Sequence, residues 1–210
     1  MIKEYFTVDG EGVGTFTEKK SRFIATLFYV ETEDEAKERI ASIKKKYWDA
    51  RHNCFAYIIG TDEPLERQSD DGEPSHTAGM PILSVLKDNG MRNVCCVVTR
   101  YFGGILLGTG GLTRAYREAA VQGVDASEVI RRTLMCRAVA ETDYAGQSRM
   151  LRILSAEGIE PKETIYEADG VRIVFNCSEE KLPKISTAIG EATAGEGTVT
   201  SDGLEYVTIL

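Results

Sequence analysis

The stretch Gly103 to Gly111, GGILLGTGG, gathers five of the chain's 20 glycines, with Arg100 before it and Arg114 and Arg117 after it. A glycine-rich turn that opens a helix can hold an anion, because its backbone N–H groups converge and the helix dipole adds positive potential. Arg100, Gly103, Gly104, Gly108, Thr109, Gly110, Gly111 and Arg114 are therefore the candidate anion-binding set. No Asp or Glu occurs from Asn89 to Arg117, in a chain of net charge -8. Local positive potential of this kind also suits nucleic acid. The candidates there are Arg51, Arg100, Arg114 and Arg117 for phosphate and Tyr101 and Phe102 for base stacking. The loop lacks the Gly-Lys-Ser/Thr ending of a P-loop and does not match the dinucleotide spacing. Tight turning and close packing are the competing reason for its glycines.

A second constellation, Ser69 to His76 (SDDGEPSH), carries three carboxylates and an imidazole. Asp70, Asp71, Glu73 and His76 could hold Mg2+ through oxygen ligands with several waters retained. The spacing is not that of an EF-hand, and loops of this composition also form plain turns. His52 and His76 are the only histidines. His52 and Cys54 share a strand face, but i, i+2 side chains stand roughly 7 Å apart, too far for a direct Cys/His hydrogen bond. The five cysteines form no C-x-x-C and read as free, buried thiols without disulfide or structural zinc. No catalytic residue is assigned, and no cofactor is expected beyond the Mg2+ just weighed.

The elements that position these residues follow from periodicity. Met1–Val8 and Ser21–Val30 read as strands around a Gly10, Gly12, Gly14 turn region. The capping box Thr32 to Glu35 then opens a helix with Ala36, Ile40, Ile43 and Tyr47 on one face. Tyr47 and Trp48, closing that helix, read as hydrophobic packing. Arg51–Gly60 is a predicted strand, Thr61–Gly79 a long polar loop, and Met80–Asn89 a short helix stopped by Gly90. Val94–Thr99, continuously apolar, predicts a strand covered on both faces or at the sheet centre. A helix from near Leu112 shows Ala115, Tyr116, Ala119 and Ala120 inward, with Arg114 and Arg117 opposite.

After Ser127 the pattern restarts. Arg137–Asp143 predicts a strand, Gly146–Glu157 a helix, and Ile159–Tyr166 with Val171–Cys177 a hairpin across Ala168-Asp169-Gly170. Ser178 opens a helix bearing Leu182, Ile185 and Ile189, and Gly197–Ile209 is a last strand. That βαββαβ order is the ferredoxin-like one. A length of 210 residues suits two domains, here 1–134 and 135–210. Residues 1–136 hold 18 Lys and Arg against 20 Asp and Glu, and residues 137–210 hold 7 against 13. The acidic surplus therefore lies in the last third. No apolar run is long enough to span a bilayer and the amino end is no signal peptide, so a cytoplasmic protein without membrane partners is expected.

The run His52 to Tyr57 (HNCFAY), the loop Ser69 to Pro74 with Thr77-Ala78-Gly79 and Pro81, and Thr99 to Leu112 (TRYFGGILLGTGGL) occur in that order. Together they resemble the IMPACT family in its bacterial YigZ type, over roughly residues 21–126. The resemblance implies an α+β, two-layer protein: a ribosomal-protein-like α/β domain of the translation-factor and small-molecule-kinase superfamily, followed by a ferredoxin-like domain similar to the terminal domains of elongation factor G. It further implies a translational regulator, as eukaryotic relatives are, with their amino-terminal partner-binding module expected to be absent. The leading expectation is a non-enzymatic, translation-associated protein that binds RNA, ribosome or a translation factor through the first domain, with no DNA sequence specificity. The alternative is a phosphate- or nucleotide-binding enzyme using the glycine loop and a Mg2+ site.

Overall fold

A computed structural model describes residues 1–209. Its elements are β1 (Glu4–Val8), β2 (Glu11–Glu18), β3 (Ser21–Tyr29), α1 (Glu33–Lys46), β4 (His52–Ile59), β5 (Leu65–Ser69), α2 (Gly79–Asp88), β6 (Val94–Tyr101) and α3 (Gly108–Asp125). There follow β7 (Val129–Thr142), α4 (Gln147–Ala156), β8 (Pro161–Tyr166), β9 (Val171–Cys177), α5 (Leu182–Ala192) and β10 (Thr198–Ile209). Two compact units result: Met1–Arg132 with Thr208 and Ile209, and Thr133–Val207.

The first unit is built on an antiparallel sheet in the order β2-β3-β6-β4-β5. Central β6 is buried along both faces, as its unbroken apolar run predicts. On one face Cys95 and Val97 meet Phe28, Tyr57 and the stripe Ala36, Ile40 and Ile43 of α1. On the other, Val94, Cys96 and Val98 pack with Ala25, Leu27, Ala56 and Ile58 beneath α2 and α3. Burying such a stripe is what stabilises each helix, since isolated helices of this length are marginal in water. Thr32 caps α1 by accepting from the Glu35 N–H at 3.2 Å, and the Glu35 carboxylate accepts from the Glu31 N–H at 2.8 Å.

Two strands are not foreshadowed by the sequence pattern. Glycine punctuation makes β2 read as a turn, yet Gly12 and Gly14 lie within it, because α3 crosses Gly14 closely and Ser127, just after that helix, crowds Gly12. A Cβ on Gly14 would stand 2.2 Å from the Gln122 carbonyl oxygen. The short, polar β5 reads as loop, because an edge strand with charged side chains has no apolar period. Helix α3 begins four residues before Leu112, so Gly108 to Gly111 form its first turn and do not precede it.

In the second unit β7 pairs with β9 and β10, and β8 pairs with β9. Its element order is βαββαβ. Helices α4 and α5 cover one sheet face through Met150, Leu154, Ile185 and Ile189, against Ala138, Ala140, Ile173 and Phe175. Two layers suffice there, whereas the first unit adds a third. Ser178 does not cap α5. Its carbonyl accepts from the Lys181 N–H at 2.9 Å, and the helix begins after that turn.

The crossing of α3 over β2 carries a direct consequence. Gly14→Ala should destabilise the protein by about 1–3 kcal/mol or more, because the new methyl meets backbone that cannot rotate away. Urea denaturation reads this, and an unchanged midpoint would contradict the close crossing.

Candidate functional site

The three motif segments meet at one end of the first sheet. Their junction is a buried acid, Glu73, whose side chain is 4% exposed, paired with Arg100 at 7%. Glu73 Oε1 accepts from Arg100 Nη1 at 2.6 Å and from the Tyr116 hydroxyl at 2.9 Å. The Arg100 guanidinium lies 5.5 Å from the Phe23 ring centroid and 5.6 Å from that of Phe102. Its other terminal nitrogen reaches Ser21 Oγ at 3.4 Å, and the Gly103 N–H donates to that same oxygen at 3.1 Å. The Cys54 thiol donates to the Asp70 carbonyl at 3.0 Å and stands 3.4 Å from the Tyr116 hydroxyl. Burial pushes that thiol up to about 12 and moves the Tyr116 hydroxyl well above its ordinary value, so both stay protonated.

Arg100 therefore does not open onto the glycine turn as an anion ligand, because its charge is neutralised inside the protein. Gly103 is a packing glycine, since a Cβ there would lie 2.0 Å from the Lys20 carbonyl carbon. Gly104 and Gly108 adopt positive φ in open space. The first turn of α3, including Thr109, Gly110 and Gly111, has neither an acidic residue nor a side-chain cap. Arg114 is exposed on that helix beside a groove of about 590 Å3, shared with Phe16, Glu18, Gly111, Arg117 and Val121. Arg117 is paired with Asp88 at 2.9 Å.

The acidic loop is likewise turned inward. Asp70 accepts from the backbone N–H groups of His76, Ala78 and Gly79 at 2.8 to 2.9 Å, and so caps α2 from eight residues upstream. Asp71 accepts from the Asn53 N–H and from Lys44 Nζ, both at 2.7 Å, while its carbonyl lies 2.9 Å from His52 Nδ1. Asn53 Oδ1 in turn accepts from Thr99 Oγ1 at 2.7 Å. Asp70, Asp71, Glu73 and His76 thus point to different partners. Among the described residues no three His, Cys, Asp or Glu side chains gather around one point. Each carboxylate is engaged by N–H, hydroxyl, ammonium or guanidinium donors, so the three do not present one shared ligand set for the Mg2+ weighed from the sequence.

What stays open lies at the rim. Phe102 is 50% exposed and Leu106 84%. Trp48 is 83% exposed, which overturns its reading as core packing. Arg51 and Arg114 have no acid partner among the described residues, whereas the Tyr101 hydroxyl donates to Asp49 at 2.7 Å. Sequence reasoning missed Trp48 because the position after a helix C-terminus suits packing and exposure equally. All five cysteines are buried with free thiols. No helix among the described residues is long and apolar enough to cross a membrane.

Removing one member of the Glu73 pair leaves a buried, uncompensated charge. Glu73→Ala should cost about 3–5 kcal/mol, while replacing both partners with apolar residues of similar volume should cost much less. Equal losses in urea denaturation of the single and double variants would contradict this arrangement. For Asp70, burial pushes the carboxyl up, but its three backbone donors outweigh that and hold it below its usual value. A folded value below the unfolded one, near about 3.9, gives stability that is present above that pH and lost as pH falls through the folded value. The deficit of Asp70→Asn against the parent should shrink on acidification below about pH 4; a deficit independent of pH would contradict it.

Residues 19–124 match the Impact N-terminal domain. The chain is 40% identical over 207 residues to IMPACT family member YvyE of Bacillus subtilis (strain 168), covering 99% of this chain and 95% of that one. It is 37% identical over 180 residues to IMPACT family member YigZ of Escherichia coli (strain K12), covering 85% and 82%. With Protein IMPACT of Rattus norvegicus it shares 37% identity over 97 residues, which is 44% of this chain and 30% of that protein. The crystal structure of a hypothetical protein superposes with a TM-score of 0.62 at 28% identity, covering 100% of this chain and 99% of the other.

Proposed function

The chain belongs to the IMPACT family, and on that footing we propose that it is a non-enzymatic regulator of translation that binds RNA on the ribosome through its first unit. The observation that carries the reading is the division of the arginines. Arg100 is neutralised by Glu73 inside the unit, whereas Arg51 and Arg114 stand exposed without an acid partner among the described residues. Exposed, unneutralised cations are what phosphate contacts require, and a net negative chain does not prevent a local positive surface. The first turn of α3 adds backbone N–H groups with no acid among them, next to Arg114. Phe102 offers a half-exposed ring just after the end of β6. Contacts of this kind address the backbone and confer no base-sequence preference. The internal engagement of Asp70, Asp71 and Glu73 supports a binding role over a metal-assisted one.

Co-sedimentation with ribosomal particles across a salt series tests the reading. Taking away one phosphate-binding cation should flatten the slope of log affinity against log salt by roughly 0.7 to 0.9, so Arg51→Ala with Arg114→Ala should remove about twice that. Replacing Lys181 and Lys184, both held by Glu157 in the second unit, should leave the slope unchanged. Parent protein that stays wholly free of ribosomal particles at low salt would overturn the proposal.

A further inference from the structure

The one tryptophan of the chain is also one of its most exposed side chains, and basic residues flank it in the sequence. Trp48 lies in the turn between α1 and β4, where the Ala50 N–H donates to the Tyr47 carbonyl at 3.0 Å. The bond from Tyr101 to Asp49 ties this turn to the end of β6. In the sheet register Arg22 of β3 is opposite Tyr101, and His52 of β4 is opposite Arg100. Arg51, one residue before His52, therefore continues the row through Tyr101 on its other side. With strands about 4.8 Å apart, Arg22, Tyr101 and Arg51 form a row roughly 10 Å wide. The influence of Arg22 on the Tyr101 hydroxyl, opposing the larger upward push of Asp49, agrees with that proximity.

The helix end beside this row is basic as well. Lys44 is held by Asp71 and Lys46 by Glu11, while Lys45 has no acid partner among the described residues. Arg22 and Arg51 have none there either, and the one acid within the turn, Asp49, already accepts from Tyr101. A large ring left in water, with the cations Lys45 and Arg51, unpaired among the described residues, within three residues of it in the chain, is open to a partner. It fits a ligand with a polyanionic backbone and flat apolar faces.

We propose that Trp48 is a stacking platform for an unpaired base of single-stranded RNA, with Arg22, Lys45 and Arg51 contacting the phosphates on either side. This rests on the RNA reading above and refines it, because duplex RNA keeps its base faces covered and offers only backbone to such a surface. Since Trp48 is the only tryptophan, its emission reports this one position.

The test uses the full chain, a labelled oligouridine followed by anisotropy, the same binding followed by Trp48 emission, and a duplex of equal length. Oligouridine should quench the emission; Trp48→Ala should weaken its binding about tenfold and Trp48→Phe by less, because stacking on an aromatic ring contributes substantially for each base. The duplex should leave the emission unchanged. Oligouridine binding that neither alters Trp48 emission nor weakens in Trp48→Ala would overturn the platform while leaving the RNA reading intact. Equal quenching by the duplex would overturn the single-strand assignment. Absence of binding to both oligouridine and ribosomal particles would overturn the RNA reading and the platform with it.

Discussion

One buried ion pair, Glu73 with Arg100, decides the course of the acidic loop and the end of the central strand. It joins a residue of the loop after β5 to the last residues of β6, and Tyr116 ties α3 to the same carboxylate. Such a pair is weak support for stability by itself, because desolvation offsets much of its Coulombic gain. Its value is geometric: a carboxylate with these donors around it has one place to sit, and the loop must reach it. The neighbouring bonds of Asp70 and Asp71 then follow, one closing the start of α2 and the other sealing the start of β4.

This arrangement inverts a natural reading of the sequence. An acid-rich loop and an arginine at a strand end look like two ligand sites, one for a cation and one for an anion. In the fold they satisfy each other. The chemistry-bearing residues engage one another, and on the proposed reading the surface free for partners is what surrounds them. Trp48 and Arg51 lie in the connection from α1 to β4, Phe102 to Leu107 between β6 and α3, and Arg114 on α3. Helix α1 covers one face of the sheet and α3 the other, so the exposed cations do not form a single cluster.

Legibility in the sequence follows physical scale. The apolar stripes of α1 and α3, and the run from Val94 to Thr99, are local patterns that survive into the structure with small shifts of boundary. Strand β2 is hidden because its glycines answer to α3 and to Ser127 just after it, more than a hundred residues away, and nothing within the strand signals those contacts. The partnership of Glu73 and Arg100 is equally long-range. Composition identifies both residues as chemically interesting, but only the fold shows that they neutralise one another. Trp48 carries no local signal at all, and its exposure depends on where α1 ends over the sheet.

Hydrogen exchange along the chain, with and without ribosomal particles, bears most directly on the claim that the inner network is scaffold and the rim is the binding surface. Amides of residues 69–79 should exchange slowly in both states, while residues 19–22, 44–52 and 101–111 should gain protection on binding. Protection that arises first within residues 69–79, or only within residues 133–207, would contradict that claim.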